Sequence, residues 1–382
     1  MILIQAIFWF SVFFIGYSYF IYPLILLALG KSRLKEISGS PDPLPSVSII
    51  VAAYNEESVI RLRIENLLML EYPKDKLEII IASDGSSDKT AAIAREFEAK
   101  GVVVYGYEAR RGKVNVLNAT VPKAKGDVIV FSDANTFFKY DTVSKLVRRF
   151  QDKKVGCVCG LLQFTTAAGS TSAHLESVYW RYETFLKIME GSFGALLGAN
   201  GALYAIRKEL FFQCPPDTII EDFVIPMKIL EKGFSVVYDK DAVALEDAAK
   251  HLIQEKKRRI RIGAGDFQSI GLLGSMLNPF RGFPALAFWS HKILRWFTPF
   301  FMLFAFTANV LLLEMPFFKA VFVAQCAFYG LALLGQALSW GGIKVKTLNL
   351  FYYFVSMNLA LFLGFLNYIS RTHTVKWDRT ER

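Results

Sequence analysis

The chain has 382 residues, 53% of them hydrophobic and 15% aromatic, with a formal net charge of +10. A soluble chain of this length is usually less apolar. The positive balance points to anionic lipid headgroups and a phosphorylated substrate rather than to nucleic acid. The four cysteines include a C-x-C pair, Cys157 and Cys159, with no second pair at zinc-site spacing, so reduced structural thiols are expected.

In chain order, residues 1–30 carry no charge and read as a transmembrane helix, since crossing about 30 Å of hydrocarbon takes roughly 20 apolar residues. No Lys or Arg precedes the run, which is also too long for the core of a cleavable signal. Lys31, Arg33 and Lys35 follow it; positive charge favours the cytoplasmic side, so the N-terminus is expected outside. Residues 31–45 form a linker ending in SGSPDPLP. Residues 46–248 alternate strand and helix patterns. SVSIIVAA, LEIIIAS, GVVVYG and DVIVFS read as strands buried on both faces, and Glu56–Leu70 and Ser87–Lys100 as helices. This pattern predicts an α/β domain with a mostly parallel sheet. Residues 249–292 read as interfacial amphipathic helices, the first with Lys256, Lys257, Arg258, Arg259 and Arg261, suited to anionic lipid. Residues 293–370 hold three further uncharged runs, 297–313, 320–343 and 347–370, read as spans. Residues 371–382 form a basic tail. Three spans would leave that tail outside, whereas its basic residues favour the inside. The expected location is the cell membrane, multi-pass, with the middle domain cytoplasmic; the oligomeric state is left open.

Ligands of such sheets bind beyond the carboxyl ends of the strands. Strand one is followed by Tyr54, Asn55 and Glu56, strand two by Asp84 and Gly85, strand four by Asp133. One such Asp is commonly a helix cap; several on one rim suggest a site. The histidines, His174, His251, His291 and His373, are scattered, and neither G-x-S-x-G nor a phosphate-binding P-loop occurs. Carboxylates without histidines suggest metal and phosphate chemistry rather than a nucleophile triad.

VSIIVAAYNEE, IIIASDGSSDKT, RRGKVNVLN, VIVFSDANTFF, GANGALYAIRKEL, TIIEDFVIPMKILEKG and KRRIRIGAG follow one another in this order. Over about residues 45–270 the chain resembles the membrane-embedded family 2 glycosyltransferases, the group of hyaluronan, cellulose, chitin and poly-N-acetylglucosamine synthases. The resemblance implies a GT-A-like nucleotide-sugar-binding domain flanked by transmembrane and interfacial helices. It also implies metal-dependent, inverting transfer from a UDP-sugar to a growing β-linked glycan.

Roles follow from the resemblance position by position. Tyr54, Asn55 and Glu56 match the motif around base and ribose, Asp84 the aspartate on the uracil side, and Gly85 a close backbone approach. Lys113 would approach phosphate or ribose; the plain alternative is a solvated lysine. Asp133 matches the first acid of the family's D-x-D, which grips Mg²⁺ or Mn²⁺ on the diphosphate, and Asn135 stands where the second acid belongs. An amide oxygen can ligate a hard cation but adds no charge, so phosphates and waters would fill most positions. Asp222, in TIIED, matches the catalytic base. Thr218-x-x-Glu221 also reads as a capping box, which would make Glu221 structural; otherwise Glu221, Gly198, Asn200 and Gly201 would face the acceptor. Arg258 and Arg261 match the arginine motif that binds the departing diphosphate. Ile262 replaces that motif's Trp, which in polymerising synthases lines the acceptor end. A single-transfer lipid glycosyltransferase, with a polyprenyl-phosphate or ceramide-like acceptor, is therefore the alternative; a transporter or scaffold with a degenerate domain fits the spans less well.

Overall fold

The computed structural model describes residues 1–30, 39, 41–165, 171–247, 252–341, 343 and 345–372. Most of the 31–45 linker, the residues 248–251, and the basic tail beyond residue 372 lie outside these, and with them Lys31, Arg33 and Lys35.

One sheet of eight strands organises the middle of the chain, in the order β3-β2-β1-β4-β7-β6-β8-β5. The strands are β1 (Val47–Ala53), β2 (Leu77–Asp84), β3 (Val102–Tyr107), β4 (Val128–Asp133), β5 (Thr136–Phe138), β6 (Val155–Thr165), β7 (Tyr204–Arg207) and β8 (Ser235–Asp247). Strands β1 to β4 pair in parallel, as do β6 and β8; β7 joins the two groups by antiparallel pairing on both sides. Alternate residues of β1 feed two cores. Ile49 and Val51 pack with Ile60, Ile64 and Leu67, whereas Ile50 and Ala52 pack with Val116, Leu117 and Phe131. Each fully buried side chain of this size contributes roughly 1.5–3 kcal/mol, which accounts for the continuous apolar run.

The helices are α1 (Ile2–Ala28), α2 (Ile60–Leu68), α3 (Thr90–Arg95), α4 (Lys113–Thr120), α5 (Thr142–Arg148), α6 (Thr171–Ser192), α7 (Glu221–Glu231), α8 (Leu252–Leu272), α9 (Phe283–Trp296), α10 (Thr298–Val310), α11 (Pro316–Trp340) and α12 (Lys346–Ile369). Helices α2 and α3 are shorter than the sequence pattern suggests: both give up their first residues to loops at the rim, and α3 ends at Arg95, followed by a turn and a short 3₁₀ segment at Glu98–Lys100. Among the described residues, α1, α11 and α12 are long and apolar enough to cross a membrane. The run at 297–313 behaves differently: α10 has 13 residues, about 20 Å of rise, and meets α9 at a 58° bend. Only the bent pair taken together has the length of a fourth span.

Helix α8 does not lie alone on a surface. It packs along α12, where a Cβ on Gly364 would come within 2.7 Å of the Ala264 nitrogen. Phe267 of α8 meets Phe365 at 5.0 Å, and Arg259 lies over the Tyr353 ring at 5.4 Å. This contact uses the apolar stripe of the helix; Lys256, Lys257 and Arg258 remain exposed.

A buried polar network fastens the sheet domain to the apolar helices through α6. Glu183 accepts from Lys292 at 2.9 Å and Arg295 at 3.1 Å, and faces His291 at 3.2 Å. Burial alone would raise its pKa, but Lys292, His291 and Arg295 outweigh it and hold the carboxyl well below the usual range. Seven residues on, Glu190 meets His291 Nδ1 at 2.7 Å and accepts from the Tyr22 hydroxyl of α1 at 3.0 Å.

Candidate active site

Strand β1 lies between β2 and β4, so the loops after these strands meet at one rim. Asn55 has φ 53°, a left-handed backbone that Asn tolerates because its short amide can bond locally. Its Oδ1 accepts the Ser87 amide at 2.8 Å. The Glu56 amide donates to the Thr90 hydroxyl at 2.7 Å. The Tyr54 ring lies 4.0 Å from the Arg110 guanidinium. Tyr54, Asn55 and Glu56 are thus stitched to the loops after β2 and β3.

Asp84 is no helix cap. It is fully buried, and its carboxylate accepts the amides of Arg111 at 2.6 Å and Gly112 at 2.9 Å. Gly85 has φ +62°, and a Cβ there would lie 2.5 Å from the Arg110 nitrogen; only glycine admits the loop so close. Both residues hold the 109–112 loop.

That loop delivers Lys113 as the first residue of α4. Its Nζ lies 2.7 Å from Asp133 Oδ1 and 3.4 Å from Glu221 Oε1. Burial opposes its charge, but Asp133, Glu221 and Asp222 together hold the ammonium above the ordinary lysine range. The solvated-lysine alternative therefore does not describe Lys113. Acids from the end of β4 and the start of α7 converge on one cation.

The capping box is not formed. Helix α7 begins at Glu221 after Ile220, with no side-chain cap. Among the described residues the buried Thr218 hydroxyl finds no hydrogen-bond partner. Glu221 turns to Lys113 instead; burial raises its pKa, Lys113 opposes and Asp222 adds to the rise. The segment before α7 is held from α8: Gln268 accepts the Ile219 amide at 3.0 Å and donates to the Asp217 carbonyl at 2.8 Å. Arg261 donates to the Ile219 carbonyl at 3.2 Å and adds its charge beside Glu221. Arg258 is exposed one turn earlier.

The GANG turn closes the other side. Gly198 has φ +78°. A Cβ on Gly201 would lie 2.8 Å from Asp222 Oδ2 and 3.4 Å from Lys113 Nζ. Asn200 accepts from the buried Lys187 of α6 and donates to the Gly160 carbonyl at 3.2 Å. Gly201, Asp222, Glu221, Lys113 and Asp133 thus share one pocket rim.

Three residues absent from the sequence-based site belong to its support. Arg63 of α2 is fully buried behind Asp133 and donates to the Ser132 hydroxyl at 2.7 Å. The Ser132 hydroxyl in turn donates to the Ala202 carbonyl at 3.0 Å. Burial pushes the Arg63 pKa down to about 9, against the pull of Asp133, so it stays charged at neutral pH. Asp266 of α8 feels Lys292, Asp222 and Glu183; burial holds its carboxyl well above the usual range. Gln268, above, is the third.

As hard oxygen donors on one turn, Asp133 and Asn135 fit a divalent cation that also takes phosphate oxygens. Among the described residues no group of three His, Cys, Asp or Glu side chains is arranged to hold a metal alone.

Residues 48–211 match the glycosyl transferase family 2 model. Over 138 residues the chain is 39% identical to beta-monoglucosyldiacylglycerol synthase of Nostoc sp., covering 35% of this chain and 29% of that one. It is 26% identical over 229 residues to poly-beta-1,6-N-acetyl-D-glucosamine synthase of Staphylococcus aureus, covering 59% and 55%. The match thus spans under a third of the first of these relatives and about half of the second. Mannosyltransferase PcManGT from Pyrobaculum calidifontis, solved with GDP-Man and Mn2+, superposes with a TM-score of 0.72, covering 97% of this chain and 100% of that one. At 20% identity this is a likeness of fold. Segment 48–211 is thus a glycosyl transferase family 2 domain by its match, and the chain carries it on a GT-A-like α/β fold.

Proposed function

We propose that the chain transfers a sugar, with inversion, from a nucleotide-diphosphate sugar to a hydroxyl of a glycan or lipid-linked acceptor at a membrane. The observation that carries this reading is the meeting of Asp133, Glu221 and Asp222 around Lys113 at one rim. Asp222 takes the proton of the acceptor hydroxyl as that oxygen bonds to the anomeric carbon. The bond from that carbon to the diphosphate oxygen breaks, and its electron pair leaves with the diphosphate. Backside attack turns an α-linked donor into a β product. Asp133 and Asn135 would hold Mg²⁺ or Mn²⁺ against the diphosphate, where the cation neutralises charge on the leaving group. Lys113 is placed to follow that charge. Tyr54, Asn55 and Glu56 would line the nucleoside side, on a loop network set by Asp84 and Gly85. Gly198, Asn200, Gly201 and Glu221 would line the acceptor side.

The domain reading is a membrane helix at 1–30, a transferase domain at 46–248, supporting helices at 249–292 and membrane helices at 293–370. Phe280, 95% exposed beside Arg281 at the turn before α9, suits insertion among lipid headgroups.

The donor is expected to carry UDP. The complex of the fold relative with GDP-Man makes a guanosine donor the comparison to run. Two products remain distinct. A β-linked glycan is the first reading. A glycolipid formed in a single transfer is the second, favoured by Ile262, which packs against the core where the arginine motif has a Trp, and by the relation to a glucosyldiacylglycerol synthase. Membranes containing the protein, incubated with labelled UDP-sugars and GDP-mannose, test both by mass spectrometry of the product. Absence of any transferred sugar across the panel would overturn the proposal.

A further inference from the structure

The pocket carries its own cations. Lys113 Nζ occupies the face of Asp133 at 2.7 Å and reaches Glu221 at 3.4 Å. The side chains of Asp133, Lys113 and Glu221 are 36%, 21% and 8% exposed, so this is a half-enclosed pair rather than one on open surface. Arg63 stands behind Asp133, and Arg261 stands beside Glu221. Asp133, Glu221 and Asp222 therefore lie under the influence of Lys113, Arg63 and Arg261, with Lys113 in direct contact with Asp133. The position two residues after Asp133 contributes an uncharged amide, Asn135.

Lys113 is also fixed in place. It opens α4 directly after Gly112, whose amide is bound by Asp84 at 2.9 Å. Gly201 borders its ammonium, a Cβ there lying 3.4 Å from Nζ, an ordinary contact distance. A divalent ion bound to Asp133 would sit about 2.0–2.6 Å from its ligand oxygen, next to an ammonium already at hydrogen-bond distance. Two cations so close repel strongly in a partly buried site. A diphosphate changes the balance: it brings several negative charges and offers Lys113 a new partner.

We propose that Lys113 is a resident counter-ion that closes the acid cluster to free divalent cations, so that metal enters only together with the nucleotide diphosphate. This rests on reading the pocket as a donor site, and it adds an order of binding to that reading. Lys113 leaves Asp133 for the phosphate oxygens, and Asp133 and Asn135 then meet the cation that the diphosphate carries. The Asn at position 135 belongs to the same device, because a second carboxylate would draw metal in without nucleotide.

The test is Mn²⁺ binding to the full chain in detergent, followed by electron paramagnetic resonance, with Mn²⁺ alone, with UDP and with GDP. For the wild type, one nucleotide should strengthen Mn²⁺ binding at least tenfold. Lys113→Met should bind Mn²⁺ alone at least tenfold more tightly than the wild type. Asn135→Asp, which leaves Lys113 in place, should shift binding in the same direction, and if Lys113→Met fails to fold the nucleotide dependence of wild-type Mn²⁺ binding decides the matter. Equal wild-type Mn²⁺ affinity with and without nucleotide overturns the counter-ion role and leaves the donor site standing. So does a folded Lys113→Met or Asn135→Asp that binds Mn²⁺ alone no better than the wild type. No Mn²⁺ binding under any condition removes the metal reading and this proposal together.

Discussion

The backbone carbonyl of Asp222 accepts the amide of Ala199 at 2.9 Å. In a regular helix that carbonyl would take the N–H of residue 226, but Pro226 lies inside α7 and has none. The free carbonyl is thus available to the GANG turn, and the acid and that loop become one unit. Pro226→Ala supplies a competing amide. Helix stability should not fall, because Ala is favoured over Pro in a helix by about 3 kcal/mol. The rate of transfer should fall roughly tenfold as Asp222 is released from the loop, since misplacing a catalytic group by about an ångström can cost 10²-fold. Paired thermal unfolding and initial-rate measurements check this, and an unchanged rate would separate the carbonyl contact from catalysis.

Asp222→Asn keeps the shape of the side chain and removes its basicity. Transfer should drop by about 10²–10⁴-fold, the usual contribution of a general base. Binding of nucleotide should stay within a few-fold, because Asp133 and Lys113 are untouched. Isothermal titration with UDP and GDP, beside activity assays, separates the two; full activity would remove Asp222 from the proposed role.

Gly201→Ala tests the packing of the pocket. Its new Cβ would lie 2.8 Å from Asp222 Oδ2, closer than van der Waals contact allows. The carboxylate must move, and activity should fall by roughly 10-fold or more with little change in melting temperature. A fully active variant would mean that Asp222 works from another rotamer.

Much of this arrangement was legible in the sequence, for a physical reason. Strands buried on both faces show as unbroken β-branched runs, so β1 to β4 and the acids at their ends stood out. Strands β5, β6 and β8 did not. They lie in the half of the sheet where β6 carries glycines at 156 and 160 and β8 carries Asp239, Lys240 and Asp241 mid-strand. The T-x-x-E pattern pointed to a cap at Thr218, yet the cation at Lys113 binds Glu221 from 108 residues earlier in the chain, which no local pattern records. Arg63 left a signal that charge obscured. Ile60, Arg63, Ile64 and Leu67 share one helical stripe and are all buried, so the arginine occupies a core position of an apolar face. Glu183, Lys187 and Glu190 likewise recur on one face of α6 and find their partners only in the folded chain.

Arg63→Met retains much of the volume and removes the buried charge. It leaves Ser132 without its donor and Asp133 without the charge behind it. Leaving a buried polar group without its partner commonly costs about 1–3 kcal/mol, so the melting temperature should fall by a few degrees. Nucleotide binding in the presence of Mn²⁺ should weaken as well, since Asp133 loses its support. A stable variant with unaltered binding would make Arg63 a packing residue only.

The Glu183 network gives a pH dependence of definite sign. Lys292, His291 and Arg295 hold the Glu183 pKa in the folded chain well below the usual carboxylate range, so the unfolded chain takes up the proton first as pH falls. The contribution of Glu183 to stability is therefore complete above about pH 4.5 and is lost as pH drops through the lower folded value. Glu183→Gln removes the effect and strands Lys292 and Arg295 in a buried site, a loss of about 3–5 kcal/mol. Unfolding in detergent, followed by tryptophan fluorescence between about pH 3 and 7, should show the wild type losing more stability on acidification than the variant. Parallel pH profiles for the two proteins would mean that Glu183 is not the acid that holds α6 to α9.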